Sequence, residues 1–534
     1  MVLLIIAGIA ISLYYELKRR TEPVSTSVSV SPTSTTITGI TTTPTVITSH
    51  TTSPTTSKPI LSNYLKLKID EILTTSRVLD LDNTGIFIST LDGEVIYVYN
   101  HHKLLIPASN MKLLTAAAAL KYLGPDYRFE TVLLVDGEVV DGTLKGNLIV
   151  RGCGDPTLVS SDWATKLSES GGSLRESHHV LDNEVLEVLA KLGIKKVDGD
   201  IIIDDYYIDK EFVHPSWEAG DLSYYYAAQV GALTVNENTV RLKVYVDSSG
   251  RVKMETAPSV AYVEVSFEGR IVKNSSEVKQ KLTAVRALGT NKITVLGDVA
   301  VGTGPYYLVV TIHDPGMYFG AVLKDILQKH GIEVLGNVRR ANTTGWSNAK
   351  SVGSLMSKPL AIILKDMLKE SINLYAEHIM KVLGKEIVGE GSWSGGSKTI
   401  GKMLGELGIS EPGIAIADGS GLSRWNRLTP YLLVKLLTAF YNDKCFYDSL
   451  PIAGVDGTLR NRMLSTSAQG NLRAKTGTLT GVSALSGYVT TRDNKVLVFS
   501  MIFNGFTVSS STVKKSVEDS IGILLADLDT SVLT

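Results

Sequence analysis

Two pairs of strand-like runs, one near each end of the globular part of the chain, restrict the fold more than any other feature. GIFIST at 85–90 and EVIYVYN at 94–100 are joined through Leu91-Asp92-Gly93, where Asp-Gly is a hairpin signal. ALSGYVTT at 484–491 and KVLVFSMIFN at 495–504 repeat the pattern around Arg492-Asp493-Asn494, and an amphipathic helix over about 511–528 closes the chain. With helical and mixed sequence between them, the two pairs suggest one antiparallel sheet built from both ends of the chain. The middle is then an insertion. It runs from about 128 to 346 and is rich in short apolar runs with turn signals, such as VDGDIIIDDYYID and NTVRLKVYVDSSGRVKM. The expected division is a first core part over 59–130, inserted β-rich domains over 131–345 and a second core part over 346–534.

Upstream of the core, Val2 to Tyr15 form an uncharged apolar run followed by Lys18, Arg19 and Arg20. As a helix it would reach roughly 21 Å against a hydrocarbon layer of about 30 Å. Residues 1–20 therefore read as a signal segment or membrane anchor. Residues 21–58 are dominated by Thr, Ser and Pro and read as a linker, of the kind that is O-glycosylated outside the cell. Sequons at Asn274 and Asn342 fit the same extracytoplasmic location.

The charge balance removes one class of partner. With 53 basic against 54 acidic residues and a net charge of −1, no basic excess is available for nucleic acid. Two cysteines, Cys153 and Cys445, cannot make a disulfide framework or a four-ligand zinc site. There is no GxSxG, HExxH or Walker motif. The adjacent pairs His101-His102 and His178-His179 would point to opposite sides of a strand, which suits a surface role better than a shared metal. No metal and no cofactor are expected.

A different constellation remains. Ser109-Asn110-Met111-Lys112 follows Pro107 and opens the apolar helical stretch LLTAAAALKYL. Residues i and i+3 share a helix face, so Lys112 can reach the Ser109 hydroxyl and, with its pKa lowered by burial, deprotonate it without histidine. SxxK recurs at Ser276/Lys279, Ser347/Lys350 and Ser511/Lys514, but without this setting. Ser371-Ile372-Asn373 is the only SxN, and its two polar residues can both face a cleft only where the helix is interrupted. Lys475-Thr476-Gly477-Thr478 holds the only KTG. Thr and Gly on an edge strand permit close backbone approach to a ligand, and the lysine supplies a charge for a carboxylate.

The order SxxK, SxN, KTG is that of the penicillin-recognising serine enzymes. The chain resembles the D-alanyl-D-alanine carboxypeptidase/endopeptidases of the low-molecular-mass class C penicillin-binding proteins, over about residues 60–530. GCGDPTL at 152–158, SYYYAAQVGALTVNEN at 223–238, DGSGLSRWNRLTP at 418–430 and LPIAGVDGTLRNRM at 450–463 carry the likeness beyond the motifs. The resemblance implies an α/β (α+β) fold: a β-lactamase-like antiparallel sheet flanked by helices, with β-rich domains inserted. It implies Ser109 as acylated nucleophile, Lys112 as general base, Ser371 as proton relay and Asn373 as the residue holding Lys112 and a substrate amide. Lys475, Thr476 and Thr478 would bind the terminal carboxylate, and the backbone N–H groups of Ser109 and Thr478 would form the oxyanion hole. A pocket for a substrate side chain is expected from Asp204, Arg424, Leu479 and Thr480, with Asp205 an equal register for the aspartate. The expected partners are a peptide or peptidoglycan-like substrate, β-lactams as covalent inhibitors, and a membrane through the N-terminal segment. A β-lactamase, an esterase, a D-amino-acid peptidase and a non-catalytic wall sensor are the alternatives. Cys153, where a small residue is expected, and the Thr-rich stalk depart from the family pattern without touching the catalytic set.

Overall fold

The computed structural model describes residues 59–342, 346 and 348–529. The expected anchor and linker over 1–58 lie outside them. Strands β1 (Thr84–Thr90), β2 (Val95–Tyr99), β3 (Arg473–Leu479), β4 (Val482–Thr490) and β5 (Val496–Asn504) form one five-stranded sheet in the order β3-β4-β5-β1-β2. Every neighbouring pair is antiparallel. The pairing of β1 with β5 joins the two ends of the chain, in unbroken register from Thr84 opposite Phe503 to Thr90 opposite Leu497.

Period-two alternation along these strands feeds two apolar layers. On one face Phe87, Tyr488, Val498 and Ile502 pack against helices α2 (Met111–Tyr122), α3 (Leu360–Lys369), α4 (Asn373–Val388), α5 (Trp393–Glu406) and α6 (Pro430–Phe440). On the other, Ile86, Ile88, Leu485 and Phe499 meet Leu65 and Ile69 of α1 (Pro59–Thr75) and Ile521 and Leu525 of α7 (Asp519–Asp527).

Residues between α2 and α3 build further sheets around a core of their own, which includes Leu148, Val150, Ile201, Leu242, Val310 and Phe319. The largest has seven strands. Its entry strand, Glu130–Val140, pairs antiparallel with its exit strand, Lys350–Met356, so the chain leaves and rejoins the first layer at adjacent points. Two three-stranded sheets and a two-stranded pairing of Leu158–Val159 with His179–Val180 complete this part among the described residues.

The histidine pair His178-His179 corrects the expectation of a surface role. Both are buried. His178 lies just before the short strand His179–Val180 rather than inside it, so strand alternation does not separate the two rings. His179 bridges Asp155 at 2.8 Å and Glu184 at 2.7 Å. Cys153 and Cys445 are both free. Among the described residues no helix is long and apolar enough to cross a membrane, and no cluster has the makings of a metal site.

Candidate active site

Ser109 sits in a single 3-10 turn, Ala108–Asn110, that runs directly into α2. Residues 111–120 of α2 are buried around its whole circumference, because the helix passes between the sheet and its neighbours. Lys112, in its first turn, is consequently fully buried. Its amine contacts Ser109 Oγ at 3.0 Å, Asn373 Oδ1 at 2.6 Å and the Ser420 carbonyl at 2.9 Å. In a neutral amine two protons serve Asn373 and Ser420, which leaves the lone pair for the Ser109 hydroxyl proton.

The helical interruption that SxN requires is present. α3 ends at Lys369, α4 begins at Asn373, and Ser371 between them takes φ 60°, a left-handed backbone unusual for serine. That turn brings Ser371 Oγ to 2.9 Å from the Lys475 amine, which also donates to the Thr476 carbonyl at 2.9 Å. Asn373 donates from Nδ2 to the Tyr226 carbonyl at 2.8 Å, tying α4 to the inserted part. β3 carries KTG on the edge of the sheet. At Gly477 a Cβ would meet the Pro107 carbonyl at 2.7 Å, so glycine is what lets β3 lie against the nucleophile turn.

Burial decides the charges. It pushes the Lys112 amine from 10.5 down to about 7, against the opposing pull of the Glu377 and Asp418 carboxylates. Lys475 is driven well below its ordinary value, first by burial and then by the nearby Lys112 and Lys514. A substrate carboxylate would be the counter-ion that restores its charge.

Sequence reasoning missed Glu377. It lies one turn along α4 from Asn373, a spacing that puts the two on one helix face and could have flagged it. Fully buried, it accepts the N–H groups of Ser420 at 2.8 Å and Gly419 at 3.0 Å and the Trp393 indole at 2.7 Å. It thereby fixes the loop whose Ser420 carbonyl holds Lys112. Burial and then Asp418 raise its pKa. Asp418 holds the rest of the loop through the N–H groups of Gly421 and Ser423.

A cleft of about 870 Å³ opens over this centre and is lined by Ser109, Ser371, Asn373, Thr478, Leu479, Thr480 and Arg424. Lys112, Lys475 and Gly477 lie beneath them, and Thr476 turns aside to bond Thr458 Oγ1 at 2.9 Å. Asp204 is not brought to Arg424. It ends a buried Ile-Ile-Ile strand, pairs with Arg151 Nε at 2.9 Å and accepts the Trp346 indole N–H at 2.8 Å. Asp205 is equally engaged, with Arg340 at 2.8 Å and Lys210 at 3.2 Å. The acid opposite Arg424 is Glu218, at 3.0 Å, and Asp221 lines the same wall. An aspartate that continues a fully apolar strand is more readily paired inside the fold than free in a cleft.

Residues 65–528 match the model of the D-Ala-D-Ala carboxypeptidase 3 (S13) family. The chain belongs to this family. A D-alanyl-D-alanine carboxypeptidase of Actinomadura sp. strain R39 is 33% identical over 485 residues, covering 87% of this chain and 84% of the relative. The crystal structure of penicillin binding protein 4 (dacB) from Haemophilus influenzae superposes with a TM-score of 0.72 at 27% identity, covering 85% of this chain and 98% of that one. The same protein complexed with a β-lactam gives 0.68 at 26% identity, covering 86% and 100%. Family membership makes the chain a serine hydrolase of the DD-carboxypeptidase type, and disfavours the β-lactamase, esterase and sensor alternatives.

Proposed function

We propose that this protein removes the terminal D-Ala from peptides ending in D-Ala-D-Ala, outside the cytoplasm, through an acyl-enzyme on Ser109. The observation that carries the reading is the contact of a buried, near-neutral Lys112 with Ser109 Oγ. Lys112 takes the hydroxyl proton as Oγ attacks the penultimate carbonyl carbon. The oxyanion is stabilised by the backbone N–H groups of Ser109 and Thr478. As the C–N bond breaks, the leaving amine needs a proton, and Ser371, bonded to Lys475, would relay it. Water then hydrolyses the ester and regenerates Ser109.

Lys475 and Thr478 would hold the terminal carboxylate. The pocket for the preceding side chain would be built from Arg424, Leu479 and Thr480 with Glu218 and Asp221 in place of Asp204, a set that presents both signs of charge to a zwitterionic end. A peptidoglycan-type stem peptide has such groups, and β-lactams would acylate the same serine. Residues 1–20 would supply the export signal or anchor.

The test is release of the C-terminal alanine from an N-acylated peptide ending in D-Ala-D-Ala against one ending in D-Ala-L-Ala, with free amine measured for both. Release from the first alone, lost in Ser109→Ala, is expected. Equal release from both, or release that survives Ser109→Ala, would overturn the reading.

A further inference from the structure

Away from Ser109, the same cleft is lined by Arg175, Glu237 and Arg241, which no catalytic step uses. Arg241 projects from the strand Thr239–Val246 of the inserted part, and its guanidinium lies 4.4 Å from the Trp163 ring centroid. That ring is fully buried, and its indole N–H donates to Thr239 Oγ1 at 3.3 Å, so the platform is fixed.

The charges around Arg241 do not balance it. Glu237 is the nearby carboxylate, and it is already engaged by Arg175 and, at 3.2 Å, by His178. Burial, and then Arg175, hold the His178 imidazole down at about 3, so that ring is neutral. Among the described residues Arg241 makes no ion pair, and its Nε is buried without a hydrogen-bond partner. Burial and the neighbouring Arg175 press even this guanidinium down to about 10. Stacking on an indole leaves that Nε–H without an acceptor. A half-buried guanidinium beside a second cation is stabilised by an anion from solution.

We propose that Arg241, with Arg175 beside it, forms an anion subsite of the cleft that binds a carboxylate of an extended peptide substrate. The proposal rests on the DD-peptidase reading. In that reading the substrate ends at the carboxylate held by Lys475, so any further part of it lies upstream of D-Ala-D-Ala. A cleft of about 870 Å³ is near the top of the range for small-ligand sites, with room beyond a dipeptide end. The planar fork of an arginine matches a carboxylate, and carboxylates are the anions that peptides carry.

The experiment compares peptide pairs with the same D-Ala-D-Ala end, carrying Glu or Gln at one, two or three positions upstream. Affinity is measured by calorimetry on Ser109→Ala, which binds without turnover, and kcat/KM on the protein with Ser109 intact. At one position the Glu peptide is expected to be favoured by roughly tenfold or more, as for a charge-assisted pair. Arg241→Gln should remove that preference and Arg241→Lys should keep part of it. Equal affinity for Glu and Gln peptides at every position, in the protein with Arg241 intact, would overturn the proposal. So would a preference that survives Arg241→Gln, or a loss that falls equally on both members of a pair. If no peptide releases D-Ala, the DD-peptidase reading fails, while the Glu-to-Gln affinity ratio on Ser109→Ala still decides the role of Arg241.

Discussion

If Lys112 is the base that activates Ser109, the acylation rate must follow the deprotonation of this one amine. Moving its pKa from 10.5 to about 7 raises the neutral fraction at pH 7 from roughly one molecule in 3,000 to about one half. The second-order rate of acylation by a penicillin should therefore rise about tenfold per pH unit on the acid side and level off above about pH 7. Glu377 supplies the perturbation. Its carboxylate is the first of the two that pull Lys112 upward against burial. Glu377→Gln removes that charge and keeps an oxygen for two of the three N–H donors, so the acid limb should move to lower pH while the plateau persists. Lys112→Ala should lower the plateau by roughly 10²–10⁴-fold, the usual contribution of a general base. Stopped-flow measurement of acylation from pH 5 to 10 with a chromogenic penicillin reads all three profiles. A wild-type midpoint near that of an ordinary lysine would refute the reasoning, as would an unchanged or upward-shifted limb in Glu377→Gln.

Three further outcomes follow from the contacts. Lys475→Ala should cost roughly 10–100-fold in kcat/KM on peptides with a free C-terminal carboxylate, the worth of a charged hydrogen bond, and far less on the corresponding esters, measured by paired assays. Asp204→Ala should leave peptide preference intact and lower stability by about 2–3 kcal/mol in denaturant titration, because it strands Arg151 and the Trp346 indole. Gly421→Ala should abolish fast acylation: at φ 85° its Cβ would fall 1.8 Å from the Ala108 carbonyl oxygen, forcing the turn that carries Ser109 to move. The left-handed backbone alone costs about 1–2 kcal/mol, so a melting curve and an acylation rate both indistinguishable from wild type would contradict this packing.

What the sequence disclosed and what it hid divide along physical lines. The strand runs at 85–100 and 484–504 are legible because alternation is a local property, and the sheet that joins them follows from needing one shared apolar layer on each face. Ser109, Lys112, Ser371, Asn373 and Lys475 are legible because each lies in a short motif, and the structure brings all five within hydrogen-bond contact of another member. The pocket acid is not local. Asp204 and Glu218 both precede aromatic-rich segments, and only the pairing of Ile201–Asp204 inside the inserted sheet shows that Asp204 faces Arg151 and not the cleft. The burial of His178 and His179 likewise depends on Glu237, Asp155 and Glu184, which come from three separate segments.

The most direct test of the account is to locate the covalent adduct. After brief exposure to benzylpenicillin, peptide mapping by mass spectrometry should find one penicilloyl group on the peptide containing Ser109, absent in Ser109→Ala and, at the same exposure, nearly absent in Lys112→Ala. An adduct on another serine, or labelling of Ser109→Ala at the wild-type level, would contradict it.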